Sequence, residues 1–346
     1  MYISVALGFT IKEIKMKKVF ITTICLFAAA FFFGALGMRI YNRTPMVFGD
    51  DAEVEYSIET DENGTKYACV MSVRESSKLK QNVKISDTYK GLPVKRIYGL
   101  SSSLSKIFIP DSVEYIDNAV FENDLRIAVY IEVGENNSQY KSIGGNLYSK
   151  DGKKLLKCTR SRVFSTTFVV PDEVEIIGQH AFHAMANFGE SPASVLPKKI
   201  IVGNGVKIIE KRAFDHADYI RYISIGNGIT TIEEGTFVWC KNLRSINLGS
   251  NITHIGDGAF YYCLKLKDVY IPKSVTQIDE DVFYQCSKLE RVYYDGTEDE
   301  WNKISVNSKG NDTLTSATVF YYSDIKPNIE GNYWYYDKKG KVQIWK

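Results

Sequence analysis

Four histidines among 346 residues give this chain little material for acid–base or metal chemistry. An excess of one charge is missing too: 43 Lys and Arg face 41 Asp and Glu, a formal net charge of +2. A nucleic-acid binder needs a basic stripe, so no nucleic-acid partner is expected. Six cysteines in a chain of this length do not make a disulfide scaffold. No G-x-S-x-G, Walker loop, G-x-G-x-x-G or H-E-x-x-H occurs, and no pair of carboxylates stands out as general acid and base. The chain therefore reads as non-enzymatic, with no catalytic residue, cofactor or metal site.

What is present is a period. Phe214, Phe237, Phe260 and Phe283 recur every 23 residues, and so do Ile209, Ile232, Ile255 and Ile278. Ile220, Leu243, Leu266 and Leu289 keep the same step, as do Ile223, Ile246, Val269 and Val292. A fixed period of this size with apolar residues in register predicts a solenoid, each turn burying its apolar face on the next. One turn reads L-x-x-I-x-I, four residues to Val or Ile, three to Ile, five to Phe; the best copy is Leu243, Ile246, Leu248, Ile252, Ile255 and Phe260. The alternating I-x-I is a strand. Gly226-Asn227-Gly228, Gly249-Ser250-Asn251 and Pro272-Lys273-Ser274 mark the corner, where Gly, Asn and Pro are expected to supply the backbone angles. Each buried Phe contributes roughly 1.5–3 kcal/mol.

The template extends backwards less regularly. Phe182 with Val174 and Ile177 is one copy, and Phe121 with Val113 and Ile116 another. Val94 and Ile97 keep the first step of a degenerate first turn that has Ser102 where Phe is due. Residues 184–198 read as a loop insertion, and 131–157 as a strand and a hairpin around Lys150-Asp151-Gly152. Upstream, Val54–Ile58 and Tyr67–Val73 around Asn63-Gly64 form a strand pair.

Segments such as I-F-I-P-D-S-V-E-Y-I-D-N-A-V-F and V-Y-I-P-K-S-V-T-Q-I-D-E-D-V-F-Y-Q-C resemble the BspA-type leucine-rich repeat of bacterial surface proteins. Its proline after the strand and its Cys three residues after Phe have counterparts here, the latter at Cys240, Cys263 and Cys286. The insertion I-E-V-G-E-N-N-S-Q-Y-K-S-I-G-G-N-L-Y-S-K-D-G-K-K-L-L-K is similar to a hairpin-bearing variant, and Y-Y-D-G-T-E-D-E-W-N-K-I to a C-terminal cap. The resemblance covers roughly residues 83–325 and departs at the proline-free corners 203–205, 226–228 and 249–251 and at the insertion 184–198. It implies a leucine-rich-repeat solenoid, β-rich, with a strand plus a short helix or turn per repeat, and a binding role without naming the ligand.

Ahead of the repeats, Lys12, Lys15, Lys17 and Lys18 precede an uncharged stretch of 19 residues, 19–37. It exceeds a usual signal core of ~7–15 and nearly meets the ~20 that span a bilayer, and Ala35-Leu36-Gly37 offers a cleavage site. A transmembrane anchor and a cleaved signal helix both fit. Met16 before Lys17-Lys18 reads as a more natural start than Met1. The basic residues lie mainly before the run, which puts the repeat domain outside the membrane. The expected organisation is 1–38 tail and anchor or signal, 39–90 linker and β cap, 91–295 repeats, 296–325 cap and 326–346 aromatic hairpin tail.

Other candidates reduce to structure. His180 and His183 have a metal-like spacing, but nothing beside them completes a site, and exposed histidines flanking Phe182 are expected. His216 and His254 occupy variable repeat positions and are expected in solvent. Cys240, Cys263 and Cys286 share one repeat position and read as stacked buried thiols ~5 Å apart. Cys25 sits in the apolar run; Cys69 and Cys158 have no evident partner. Glu298-Asp299-Glu300 reads as the first turn of a short helix.

A ligand is expected on the strand ladder. The outward positions are Lys106/Phe108, Thr167/Val169, Lys199/Ile201, Tyr222/Ser224, Ser245/Asn247, Asp268/Tyr270 and Arg291/Tyr293. Tyr and Arg are favoured recognition anchors, so Tyr222, Tyr270, Arg291 and Tyr293 are the predicted centre of a protein or glycan contact. The function expected is non-enzymatic binding or adhesion at the cell surface, membrane-anchored or secreted, through protein–protein interaction along the ladder. The alternative is a cell-envelope glycan-binding protein using Trp334 and Trp345 of the tail.

Overall fold

The computed structural model describes residues 53–74, 81–100, 104–121, 130–159, 166–183 and 197–345, all within the unit Gly49–Lys346. The apolar stretch 19–37 with Cys25, Ser102, and residues 184–196 of the expected insertion lie outside the described residues. Among the described residues no helix is long and apolar enough to cross a membrane.

The 23-residue step becomes strand register. Tyr222 pairs with Ser245, Ser245 with Asp268 and Asp268 with Arg291, all in parallel. Alternation within each strand sends every second side chain inward, as in Tyr222–Ile225, where Ile223 and Ile225 are buried. Nine strands make one sheet in the order Thr167–Val169, Lys199–Val202, Tyr222–Ile225, Ser245–Asn247, Asp268–Ile271, Arg291–Tyr294, Thr318–Tyr322, Tyr333–Tyr336 and Val342–Ile344. Only the last pairing is antiparallel. A second, shorter ladder runs through Thr231–Ile232, His254–Ile255, Gln277–Ile278 and Ser305–Val306.

The side of the coil between these ladders carries the Phe residues. Phe182, Phe214, Phe237, Phe260 and Phe283 are fully buried. Their rings stack at 4.4, 5.0, 5.2 and 5.2 Å. Here the backbone is neither strand nor helix. His216, Trp239 and Tyr262, each two residues after a Phe, hold φ of 51°, 61° and 60°. That left-handed conformation costs a non-glycine residue about 1 kcal/mol or more. In it each N–H reaches a carbonyl of the next turn, Val238, Tyr261 and Tyr284, at 2.8–2.9 Å. The hydrogen bond between turns offsets the strain.

Two expectations change. The corner glycines supply space rather than unusual angles, since Gly226, Gly228 and Gly249 are not among the positive-φ residues. A Cβ on Gly249 would lie 2.0 Å from the Gly226 carbonyl oxygen, and one on Gly228 2.1 Å from that of Val206. The outward ladder is also not continuous. Lys106 and Phe108 belong to a separate three-stranded sheet of Gln81–Lys84, Leu104–Ile109 and Ile131–Val133. Between that sheet and Thr167–Val169 the chain turns through the antiparallel meander Tyr140–Ile143, Asn146–Ser149 and Lys154–Lys157. The core divides at the same place, with one buried cluster ending at Leu147 and the other starting at Tyr148.

Both ends are covered. Glu53–Thr60 and Lys66–Arg74 form an antiparallel pair whose second strand joins Leu92–Ile97 in parallel. At the other end Glu298–Trp301 is a helical turn closed by a Thr297–Glu300 capping box. The hairpin Tyr333–Tyr336 and Val342–Ile344 then extends the long sheet.

Candidate functional site

The long sheet turns two outward columns of side chains into ordered rows. One runs Lys199, Tyr222, Ser245, Asp268, Arg291, Thr318, and the other Ile201, Ser224, Asn247, Tyr270, Tyr293, Phe320. Within the second, Tyr270 stacks on Tyr293 at 4.7 Å and Tyr293 on Phe320 at 5.5 Å. In the first, Arg291 Nε donates to Asp268 Oδ1 at 2.6 Å, so its charge is paired. Tyr222, 44 % exposed, stands open three rungs from Arg291.

The C-terminal tail folds over one end of these rows. Trp334 is 1 % exposed, and its indole N–H donates to the Tyr294 carbonyl at 2.9 Å. Its ring meets Tyr270 and Tyr293 edge-on at 6.3 and 5.8 Å. Tyr293 is thereby reduced to 5 % exposure. Beside Trp334 a groove of about 200 Å³ opens, lined by Tyr270, Tyr293, Tyr336, Asn227, Asn247 and Asp295 among others. Burial raises the Asp295 carboxyl above its ordinary range.

Of the four predicted contact residues, the structure brings Tyr270 and Tyr293 together in the groove. Arg291 lies beside Tyr293 on the same strand, and Tyr222 stands apart from the groove. Sequence reasoning placed Asn247 on the outward ladder without singling it out, and missed Asp295 and Tyr336 as groove residues and Trp334 as its wall. The two tryptophans proposed for stacking sugars are engaged in packing: Trp334 is buried, and Trp345 stacks on Tyr335 at 3.9 Å while donating to the Ser323 carbonyl.

A second cluster corrects the reading of the histidines. His180 and His183 are not exposed; they are 0 % and 4 % accessible. The carboxylate missing from the local sequence arrives from the next turn: Asp215 Oδ1 lies 2.9 Å from His180 Nδ1 and 2.7 Å from His183 Nδ1. One donor atom from each of the three falls within 4.8 Å of the others. Burial alone would raise the Asp215 carboxyl, but the bonds from His180 and His183 outweigh it and hold it at about 2. Lys157, from the meander, donates to the His180 and His183 carbonyls at 3.2 and 2.6 Å, and burial pulls its ammonium down to about 8. His216 is half-buried, 5.5 Å from His183 and stacked on Trp239 at 5.7 Å. His254 is half-buried and meets Asp279 at 2.6 Å.

The cysteine row is likewise more specific than stacking. Cys240, Cys263 and Cys286 are free and buried, and each Sγ donates to the Phe carbonyl of the turn before, at 3.0, 3.2 and 3.1 Å.

A parallel ladder at a 23-residue step, with its Phe stack and Cys row, defines a leucine-rich-repeat solenoid. The chain belongs to the BspA-type leucine-rich repeat family, whose repeat region matches residues 73–152 and 158–290 in six copies, more than half of its length. Among solved structures it is similar to the pneumococcal vaccine antigen PcpA, with TM-score 0.54 and 22 % identity over 68 % of this chain and 56 % of that one. A leucine-rich repeat protein from Eubacterium ventriosum gives TM-score 0.44 and 20 % identity, over 60 % of this chain and 59 % of that one. A leucine-rich cell surface protein from Faecalibacterium prausnitzii gives 0.45 and 18 %, over 77 % and 99 %. The chain thus spans less than two thirds of the first two, and the likeness to the pneumococcal antigen speaks to the fold alone. No curated protein matches it.

Proposed function

We propose that this chain is a non-enzymatic cell-surface binding protein that takes a protein partner on the outward face of its long sheet. The observation that carries this is the groove beside Trp334. Aromatic edges from Tyr270, Tyr293 and Tyr336 meet amide and carboxylate groups from Asn227, Asn247 and Asp295 there. A half-covered aromatic centre with a polar rim is the pattern of a protein contact. The proposed contact runs from this groove along the ladder and takes in Tyr222, Tyr270, Arg291 and Tyr293: Tyr270 presents ring surface in the groove and Tyr222 outside it, while the Arg291–Asp268 pair and Tyr293 hold the neighbouring rungs in shape. The packing of Trp334 and Trp345 favours a protein over a stacked sugar. Surface display rests on the apolar stretch 19–37, read as anchor or signal.

The test is a screen of the purified protein against an array of extracellular proteins and an array of glycans. Every hit is re-measured with the double variant Tyr222→Ala/Tyr270→Ala. The proposal expects a protein hit weakened on the order of tenfold or more, as for loss of a recognition anchor. Binding confined to glycans, or indifferent to both substitutions, would overturn it.

A further inference from the structure

We infer that His180, His183 and Asp215 form a binding site for a divalent transition-metal ion of the zinc type, joining two successive turns of the solenoid. The donors come from different turns but from equivalent places. His183 follows Phe182 and Asp215 follows Phe214, and Phe182 and Phe214 stack at 4.4 Å. In the later turns that position belongs to Val238, Tyr261 and Tyr284, so the coil itself does not require polar groups there. His180 holds φ 58° at the place that Gly235 and Gly258 occupy at 60° and 57°. Arg212 and Asp281 hold 57° and 56° at the same place in their turns, so this left-handed backbone belongs to the repeat, and the donor types alone distinguish the cluster.

The donor set selects the ion. Two imidazole nitrogens and one carboxylate oxygen are the ligands of a three-residue zinc site, which leaves one coordination position for water or another group. Calcium and magnesium need a shell of oxygen ligands that this cluster does not provide. The Lys157 ammonium on the two histidine carbonyls adds a positive charge nearby, so an ion must be held by ligand bonding to imidazole rather than by charge alone. The donors stand 2.7 and 2.9 Å apart across Asp215 Oδ1, and tetrahedral zinc with bonds of 2.0–2.1 Å would spread them to about 3.3 Å. Binding therefore requires the three side chains to open by about half an ångström. An outer partner is in place: Gln179 Nε2 lies 3.1 Å from His180 Nε2, and its amide can turn its oxygen to accept from that nitrogen once Nδ1 is metal-bound. His183 Nε2 is buried without a hydrogen-bond partner, so as a purely hydrogen-bonded core cluster the group is incomplete.

The experiment uses the purified, tag-free protein, stripped with chelator and titrated with Zn²⁺ and with Co²⁺. The expected result is one equivalent bound per chain, a visible Co²⁺ spectrum of four-coordinate intensity, and a thermal midpoint raised by Zn²⁺ but not by Ca²⁺ or Mg²⁺. His183→Ala and Asp215→Asn should weaken Zn²⁺ binding by more than about 100-fold, exceeding the loss of an outer partner. His254→Ala, at the other histidine–aspartate pair, should leave it unchanged. Because the titration is done first on the unaltered chain, a variant that fails to fold does not hide the answer. Sub-stoichiometric binding, a six-coordinate Co²⁺ spectrum of weak intensity, or binding insensitive to His183 and Asp215 would overturn the inference.

Discussion

Trp334 lies edge-on to Tyr293, ring centroids 5.8 Å apart at 76°, and so ties the C-terminal tail to the outward face of the repeat sheet. The indole N–H on the Tyr294 carbonyl fixes the same contact from the other side. The tail therefore closes the last rungs and shapes the groove at once.

Removing that contact should release the tail. Trp334→Ala deletes a fully buried ring, a change that costs about 3–5 kcal/mol in a packed core. In a stack whose members touch only neighbours, the loss should stay local. Hydrogen exchange should show residues 326–345 opening early, with Ser245–Asn247 still protected. Uniform loss of protection across the repeats would contradict this.

The corners give a paired test of glycine as space. A Cβ on Gly249 meets the Gly226 carbonyl at 2.0 Å, whereas one on Gly203 meets only the Asp172 carboxylate at 3.5 Å. Neither glycine has a positive φ. Gly249→Ala should lower unfolding stability by about 1–3 kcal/mol, as overpacking does, and Gly203→Ala by much less. Denaturant melts of the two variants check the difference.

Thiol chemistry should be silent in the folded protein. Cys69, Cys158, Cys240, Cys263 and Cys286 are buried and free. Burial pushes Cys69 to about 11 and Cys158 to about 12, and raises Cys263 well above its ordinary value. A thiol reagent at neutral pH should modify none of the five until denaturant is added, then all of them. Peptide mapping after labelling identifies the sites and separates them from Cys25.

Glu175 should contribute a defined acid dependence. It bridges Lys153 and Lys207, each at 2.6 Å, and these partners hold its carboxyl at about 2 against 4.5 when unperturbed. A carboxyl depressed in the folded state stabilises it above about pH 4.5, and that contribution fades as pH falls towards 2. Glu175→Gln should be less stable than the parent at pH 6, with the gap closing as the pH approaches 2. A gap that stays constant with pH would show that the bridge contributes nothing.

The regular half of the fold was readable because its information is repetitive. A 23-residue step in Phe, Ile and Leu states which strands pair and in what register, and Tyr222 opposite Ser245 follows directly. What escaped was information not carried by the period. His183 and Asp215 are 32 residues apart, across residues 184–198, so no 23-residue comparison aligns them. Trp334 reaches Tyr294 over 40 residues from outside the repeats. Trp239 at φ 61° defies its own propensity because a hydrogen bond to the next turn holds it there. Alternation says which side chains face out, but not which of them the tail then covers, so the 5 % exposure of Tyr293 under Trp334 was not legible in the repeat.

The most direct test of the binding surface is photo-crosslinking on intact cells, with a photoreactive residue placed at Tyr222, at Tyr270, or at Glu234 away from the long sheet. Crosslinked protein adducts are expected from positions 222 and 270, reached by an impermeant reagent, and none from 234. Adducts equally frequent from all three positions, or a chain that the impermeant reagent never reaches, would contradict it.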